Sequence, residues 1–493
     1  TELTDQELLY CVNDVRGLVE ALRIEMEKDG DDLYTIPLTS TGYVRRECKE
    51  AMRGFNHKQL MSMLPDAEIY RMLREAFRGG NTHCNRFYTG QILENVTSVD
   101  RSSSYPDVMI NYKYPMTGFQ MLGAVDMHRL NLLIDKRKRA VLMRISFNNI
   151  ELSNIFDGCP YLSRAKCRNI VNGVYDNGRI IKADYLETTL TDIDYKIIRN
   201  HYTWSGSNPY QVAWSRYGYL PDPYRDTVKE FFRLKTELKG TDEYYYTKAK
   251  NKLNSTYGMS VQQIKDTLEF IDGEYHYQDT PLEELIKKNN RRAFSSYAWG
   301  VWVCAHARNC LQEAIDRAGE SFVYCDTDSV KYLDELDLSD INERYQDQSE
   351  QNGAYADDPQ GVRRYMGVWE SEGTYSRFSS LGAKKYVYEQ DGKLHITIAG
   401  VNKQKGAEEL GDIKNFKEGF IFRKAGGTES RYNDEQDLTI IREGRPIRIR
   451  DNLYISDSTY QIGLTEDYKE IIEWAQYLRI ARSDTAPGLF ELD

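Results

Sequence analysis

Two aspartates stand two residues apart in the stretch VYCDTDSVKY, Val323 to Tyr332. In an extended chain residues i and i+2 point to one face, which would hold the carboxylates of Asp326 and Asp328 about 6–7 Å apart. Like charges that close disfavour each other's ionisation unless a cation lies between them. A solvated hairpin tip, where Asp and Ser are common, is the plain alternative for a D-x-D pair. The flanks argue for more: Phe322, Val323 and Tyr324 precede the acids and Val330 and Tyr332 follow, so two apolar strands would hold the tip rigid. A rigid carboxylate pair suits Mg²⁺, which takes a few carboxylates together with substrate phosphates. Asp100, which ends the strand-like QILENVTSVD (Gln91–Asp100) and opens DRSSSYP, offers a third carboxylate. Three such acids would make a two-metal centre for phosphoryl transfer.

Two further stretches carry groups suited to phosphates and flat rings. In KNKLNSTYG (Lys250–Gly258), Lys250, Asn254 and Tyr257 fall at i, i+4 and i+7 on one helical face. A solvated face accounts for Lys250 and Asn254 but leaves Tyr257 unexplained, whereas a wall for a phosphate and a base uses all three. Lys235, on the helix before, could give a triphosphate a second cation. In LGAKKYVYEQ, Lys384 and Tyr386 alternate with Lys385 and would share a strand face, able to hold a nucleic-acid backbone. An exposed amphipathic strand is an equally available reading of that segment.

The elements that must position these residues follow from periodicity and punctuation. Leu8, Leu9, Val12, Val15, Leu18 and Leu22 predict a helix over 5–29, broken by KDGDD. FRGGN around Arg78 is a turn signal. Residues 107–225 mix short apolar runs with Pro160, Pro209, Pro221 and Pro223 and the basic cluster Lys136–Arg139, and read as an inserted subdomain of mixed structure. DTVKEFFRLKTELKG predicts a helix from an N-cap at Asp226 to a C′ residue at Gly240. YYYTKAKNKLNSTYG predicts a second helix closing near Gly258, and the two form an αα-hairpin. Residues 260–295 run from acidic to basic and end in KKNNRR, a helix covers 294–318, and REGRPIRIRDNLYI in the last region, 401–493, reads as a strand pair.

The totals set outer bounds. A chain of 493 residues suits about three domains or subdomains. Its 37 tyrosines give many apolar bodies with polar tips. The net charge of −11 argues weakly against a nucleic-acid partner, although a basic groove can coexist with an acidic exterior. Eight cysteines without a CxxC pair argue against a zinc site or a disulfide framework and for reduced thiols. The longest apolar run, YAWGVWVCA (Tyr297–Ala305), is too short to span a bilayer, and TELTDQELLY has no signal-peptide character. The absence of an initial Met is what a processed or truncated chain would show.

In combination these stretches resemble family B DNA polymerases of the protein-primed bacteriophage type. DRSSSYP resembles the family's first polymerase motif, KNKLNSTYG the second and YCDTDS the third, in the family's order, and KKY resembles its K-x-Y motif. FRGG (Phe77–Gly80) is similar to Y-x-G-G with Phe for Tyr, and CAHAR (Cys304–Arg308) to T-x-x-A-R with Cys for Thr. AGVNKQKGAEELGDIKNFKEGF is similar to the stretch entering the thumb. The resemblance implies an α+β right-hand fold with an antiparallel palm sheet. It implies a remnant of an exonuclease domain and linker at 1–65, palm at 66–115 and 296–400, and fingers at 223–259. Insertions resembling the two terminal-protein regions fall at 116–222 and 260–295, and a thumb at 401–493.

The same resemblance assigns roles. Asp100, Asp326 and Asp328 would be catalytic and, with the Arg101 backbone carbonyl, would bind two Mg²⁺ ions, for which Mn²⁺ can substitute. Tyr105, Lys235, Lys250, Asn254 and Tyr257 would bind the nucleotide. Phe77, Gly79, Gly80, Ser255, Gly258, Thr327, Arg308, Lys384 and Tyr386 would contact DNA, and the clusters Lys136–Arg139, Lys287–Arg292 and Arg442–Arg450 would track its backbone. The implied partners are primer-template DNA, deoxynucleoside triphosphates and a terminal protein that primes synthesis, acting on a monomer in the cytoplasm of an infected bacterial host, with no membrane. YCVND (Tyr10–Asp14) is similar to the last of three exonuclease motifs, and Asp5 and Glu7 lie too close to it to supply another, so proofreading is expected to be absent. Two rivals stay open: a catalytically inactive DNA-binding module, and a primer-independent or RNA-handling polymerase. RNA-handling relatives tend to carry adjacent aspartates, where Thr327 intervenes here.

Overall fold

The computed structural model describes residues 4–271, 274–432, 438–442, 445–449 and 453–484. At its centre is a seven-stranded antiparallel sheet built from β1 (Thr82–Cys84), β2 (Leu93–Arg101), β3 (Phe322–Asp326), β4 (Ser329–Tyr332), β5 (Trp369–Ser380), β6 (Lys385–Gln390) and β7 (Lys393–Ile398), in the order β1-β3-β4-β2-β5-β6-β7. Alternation along each strand sends Val99, Cys325 and Val330 into one core. That core also holds Trp299 and Trp302, both fully buried, from the helix Tyr297–Ala318, whose apolar residues surround it on nearly every side. The opposite face carries Asp100, Asp326, Ser329 and Lys331, with Tyr324, Tyr375 and Phe378 clustered farther along it.

Segment 120–215 forms a second seven-stranded sheet with its own core of Phe147, Ile145, Leu186 and Leu190. Its long strands, Ala140–Leu152 and Arg179–Thr191, pair directly. The two sheets are tied by buried charges. Arg308 Nη2 lies 2.7 Å from Asp194 Oδ1, and Arg308 Nε donates to Tyr161 Oη at 2.9 Å. Arg78 donates to Thr189 O and Thr188 Oγ1 at 2.9 Å each.

Four helices complete the frame: α1 (Asp5–Asp29), α2 (Ser104–Asn111), α3 (Asp222–Glu237) and α4 (Glu243–Ser255). α1 has the predicted bounds and meets the rest through its last turn, where Lys248 Nζ sits 2.7 Å from Glu25 and 2.6 Å from Asp29. Tyr10 and Asp14 are exposed on it. α3 begins one turn before the expected cap: Pro223 occupies the first turn, where a missing N–H costs nothing, and Asp226 lies inside the helix, 2.6 Å from Lys229. Gly240 turns the chain at φ +76°, and Asp242 caps α4 by accepting the Tyr245 N–H. Tyr257 falls just past α4, in the 3₁₀ turn Tyr257–Val261, so it leaves the strict helical stripe of Lys250 and Asn254. The segment 260–295 holds a hairpin, Leu268–Ile271 with Glu274–Tyr277, and the helix Leu282–Asn290.

Toward the C-terminus the strands Leu438–Arg442 and Arg445–Ile449 pair, as do Thr428–Tyr432 and Leu453–Asp457. Residues 443–444 and 450 of the Arg442–Arg450 cluster lie outside the described residues. Among the described residues no helix is long and apolar enough to cross a membrane.

The Arg308–Asp194 pair should hold the two sheets together energetically. Arg308→Met leaves Asp194 buried without its cation and should lower stability by about 3–5 kcal/mol in denaturant unfolding, with a loss under about 1 kcal/mol contradicting the assignment. Asp194 is held at about 2 against its ordinary 3.8. Its contribution is therefore complete above the ordinary value and lost as pH falls through the folded one.

Candidate active site

Register sets a row of polar residues across the central sheet. Thr82 lies opposite Asp326, Asp326 opposite Ser329, Ser329 opposite Asp100, and Asp100 opposite Glu370. Directly opposite residues share a face, so Asp100 and Asp326 stand on one side with a single strand between them. Asp328 sits in the β3–β4 turn, and its carbonyl accepts the Arg101 N–H at 2.8 Å. Thr327 closes that turn at φ +62° and donates its N–H to Asn81 O at 2.7 Å.

The FRGGN loop pins the turn from outside. A Cβ on Gly80 would lie 2.7 Å from Thr327 Oγ1, so glycine alone permits this approach. The Gly79 carbonyl accepts from Arg308 Nη1 at 3.0 Å, and Phe77 packs edge-on to Tyr297 with ring centres 6.4 Å apart. Arg308 is thus buried in protein contacts. This corrects its expected place on DNA: its guanidinium makes four hydrogen bonds, to Tyr161, Asp194 and the Arg78 and Gly79 carbonyls, and acts by positioning the loop.

The acids crowd, and burial weighs on Asp100 and Asp328. Burial pushes the Asp100 carboxyl up to about 7, helped by the charges of Asp328, Glu372 and Glu370. Asp328 is pushed up to about 6 by burial and by Asp326. Lys331 beneath them donates to Ser98 Oγ and Ser329 Oγ at 3.3 Å each, and burial lowers its own basicity. Asp326 is engaged differently. Lys384 Nζ lies 2.6 Å from its Oδ1 and also contacts Oδ2, while Thr82 and Thr327 donate to Oδ1 at 3.0 and 3.2 Å.

As the side chains stand, no three His, Cys, Asp or Glu among the described residues converge as a metal-holding group. The donor set nevertheless fits divalent cations: carboxylates only, part-exposed, and hard enough for Mg²⁺ or Mn²⁺. Arg101 is buried, its guanidinium turned inward to Asp107 and its backbone beside Asp328.

Beside the acids, Tyr105 opens α2 and stacks on Tyr257, ring centres 4.0 Å apart and planes 16° from parallel. Lys235 Nζ donates to Ser103 Oγ at 3.1 Å, and burial with the nearby Lys250 lowers its basicity. Lys250 and Asn254 are exposed, and Ser255 and Gly258 are half-buried next to them. Lys384 stands just before β6 at φ +57°, so it does not alternate on a strand with Tyr386 as expected; the turn swings its ammonium to Asp326 instead. Tyr386 packs against Tyr324, 4.9 Å between centres.

The sequence reading passed over Glu370, Glu372, Lys331 and Thr82. Glu372 sits at a β-bulge and accepts from Ser98 Oγ at 2.6 Å. Its signal was available in WESEG, an E-x-E on a strand, the same spacing as the aspartate pair.

Comparison with known proteins agrees with this arrangement. The chain is similar to the DNA polymerase of Bacillus phage Nf, 24% identical over 426 residues, and to that of Bacillus phage phi29, 22% identical over 410 residues. Each match covers 80% of this chain and 62% of the relative, so the chain spans about three fifths of their length. Among solved structures it resembles phi29 DNA polymerase complexed with primer-template DNA and incoming nucleotide substrates, with a TM-score of 0.65, 18% identity, and coverage of 94% of this chain and 73% of that one. The orthorhombic crystal form of phi29 DNA polymerase gives a TM-score of 0.63 over the same shares. The fold is therefore the right-hand polymerase fold. With residues 1–342 matched by the model for DNA polymerase type B, organellar and viral, the chain belongs to that family.

Proposed function

We propose that this chain is a DNA-directed DNA polymerase that adds deoxynucleoside monophosphates to a primer 3′-hydroxyl by two-metal phosphoryl transfer. One observation carries the reading: Asp100 and Asp326 share one face of the central sheet, with Asp328 in the adjoining turn, beside a stacked tyrosine pair and a lysine pair. The central sheet with its helix Tyr297–Ala318 serves as palm (66–115 and 296–400), α3 and α4 as fingers (223–259), and 401–493 as thumb. Segments 116–222 and 260–295 are read as the terminal-protein-region-like insertions, and 1–65 as nuclease-domain sequence with its linker.

Asp100, Asp326 and Asp328, with the Arg101 carbonyl, would hold two Mg²⁺ or Mn²⁺ ions. When bound, such ions lower the pKa of an attacking hydroxyl and neutralise charge on the phosphates. The chain's own groups do the rest. Lys235 and Lys250 offset the negative charge of the triphosphate, while Tyr105, fixed by its stack on Tyr257, lies under the sugar and leaves no room for a 2′-hydroxyl. Asn254, Ser255 and Gly258 flank the nucleotide. Phe77, Gly79, Gly80 and Thr327 form the tight junction over which the primer terminus passes, and Lys384 and Tyr386 border it.

The chain's likeness to phi29 DNA polymerase complexed with primer-template DNA and incoming nucleotide substrates supports DNA and deoxynucleoside triphosphates as partners. Relatives that are Bacillus phage DNA polymerases support a role in phage genome replication, and priming by a terminal protein in the cytoplasm of an infected bacterium is part of the same proposal.

Asp326→Asn should cut primer extension by about 10²–10³-fold or more while DNA binding in gel shift persists; ordinary turnover would remove the two-metal reading. Tyr105→Val should admit ribonucleotides in the same assay, with unchanged sugar selectivity refuting the gate.

A further inference from the structure

The hairpin Tyr355–Asp357/Arg363–Tyr365 has no part in the site described so far. Its outgoing chain is bonded to the end of β2 in both directions: Ser102 N donates to Val368 O at 2.9 Å, and Gly367 N to Ser102 O at 2.7 Å. The chain entering it is bonded to α3, through Arg225 Nη2 and Asn352 Oδ1 at 3.0 Å. The hairpin is therefore fixed both to the strand bearing Asp100 and to the helix bearing Lys235.

Between these elements lies a cavity of ≈ 380 Å³, lined by Lys235 and Lys239 on the helix side, by Ser102 and Glu370 at its floor, and by Asp358 and Arg364 from the hairpin. Lys239 is exposed and forms no ion pair among the described residues. It lies near enough to Lys235 to disfavour its charged form, as does Lys250. Glu370 and Asp100 act on Lys235 in the opposite sense, and an anionic ligand would add to them. Arg364 is held at the rim: its Nε and Nη2 each lie 2.9 Å from Asp358 Oδ2. Asp358 in turn accepts the N–H groups of Gln360 and Val362 at 3.0 and 2.9 Å, which fixes the turn. A planar guanidinium on a fixed turn suits a phosphate.

We propose that this hairpin walls the outer end of the nucleotide site, with Arg364 and Lys239 gripping the terminal phosphates of an incoming triphosphate and then the departing pyrophosphate. The proposal rests on the polymerase reading above and extends it to residues outside the motif segments.

The test compares the unaltered chain with Lys239→Ala, Arg364→Ala, Arg364→Lys and the double alanine variant. Two quantities are measured: KM and kcat for nucleotide addition on a primer-template, and equilibrium binding of inorganic pyrophosphate by calorimetry, which needs no turnover. The double variant should raise KM for the triphosphate about tenfold, beyond any fall in kcat, and weaken pyrophosphate binding to a similar degree, as expected for lost charge-assisted contacts. Arg364→Lys should recover part of both. Lys239, exposed and unpaired, can be removed without disturbing the hairpin, so Lys239→Ala alone should show part of both effects, which a hairpin loosened by loss of the Arg364–Asp358 pair cannot mimic. Unchanged KM and unchanged pyrophosphate affinity in the double variant would overturn the proposal and leave the polymerase reading intact. An unaltered chain that extends no primer would sink that reading, and the calorimetry would still decide whether this cavity binds pyrophosphate.

Discussion

Negative charge confined to one face of a sheet is the constraint from which the rest follows. Strand pairing alone brings Asp100 within one strand of Asp326, and the tight turn adds Asp328. Glu370 and Glu372 come from the next strand. Such a cluster costs free energy, since each carboxylate disfavours the others and burial disfavours all of them. The frame must therefore be stiff enough to keep the acids together. Its stiffness comes from below, where Val99, Cys325 and Val330 are locked against the helix Tyr297–Ala318.

The same need explains the surroundings. The turn carrying Asp328 is pressed by a glycine loop that itself hangs from Arg308, and Arg308 is anchored through Asp194 on the helix Asp192–His201, which follows the strand Arg179–Thr191 of the second sheet. A substitution in the inserted sheet could thus reach the acids by way of one guanidinium. The abundance of tyrosine also finds a use. Tyr324, Tyr375, Tyr386 and Tyr388 form a ring-packed layer flanking the acids, and Tyr105 with Tyr257 walls the neighbouring cleft. The Lys384 contact shows how the chain meets the charge problem locally: an ammonium delivered by a turn neutralises the most engaged of the three aspartates.

Much of this was legible in the sequence because it is local. The helix at 5–29, the strand ending at Asp100 and the β3–β4 hairpin each follow from periodicity and punctuation within one segment. α3 was misjudged at its start because Asp226 looks like a cap, whereas Pro223 is equally at home in a first turn. Lys384 was misplaced because alternation cannot reveal a left-handed residue one step before a strand. The inserted sheet stayed opaque for a different reason. Its long strands pair across intervening turns, and Phe147 and Leu186 are fully buried, so neither turn chemistry nor alternation marks the partners. Arg308 was expected on DNA by resemblance alone, since no sequence pattern announces that Asp194, far away in the chain, will hold it.

The central claim is that these acids form a divalent cation site, and Mn²⁺ binding reports on it directly. Electron paramagnetic resonance of free Mn²⁺, titrated with the chain on primer-template DNA, should show the ion taken up by the unaltered protein and left free by Asp100→Asn. Equal uptake by both, or uptake by neither, would contradict the account.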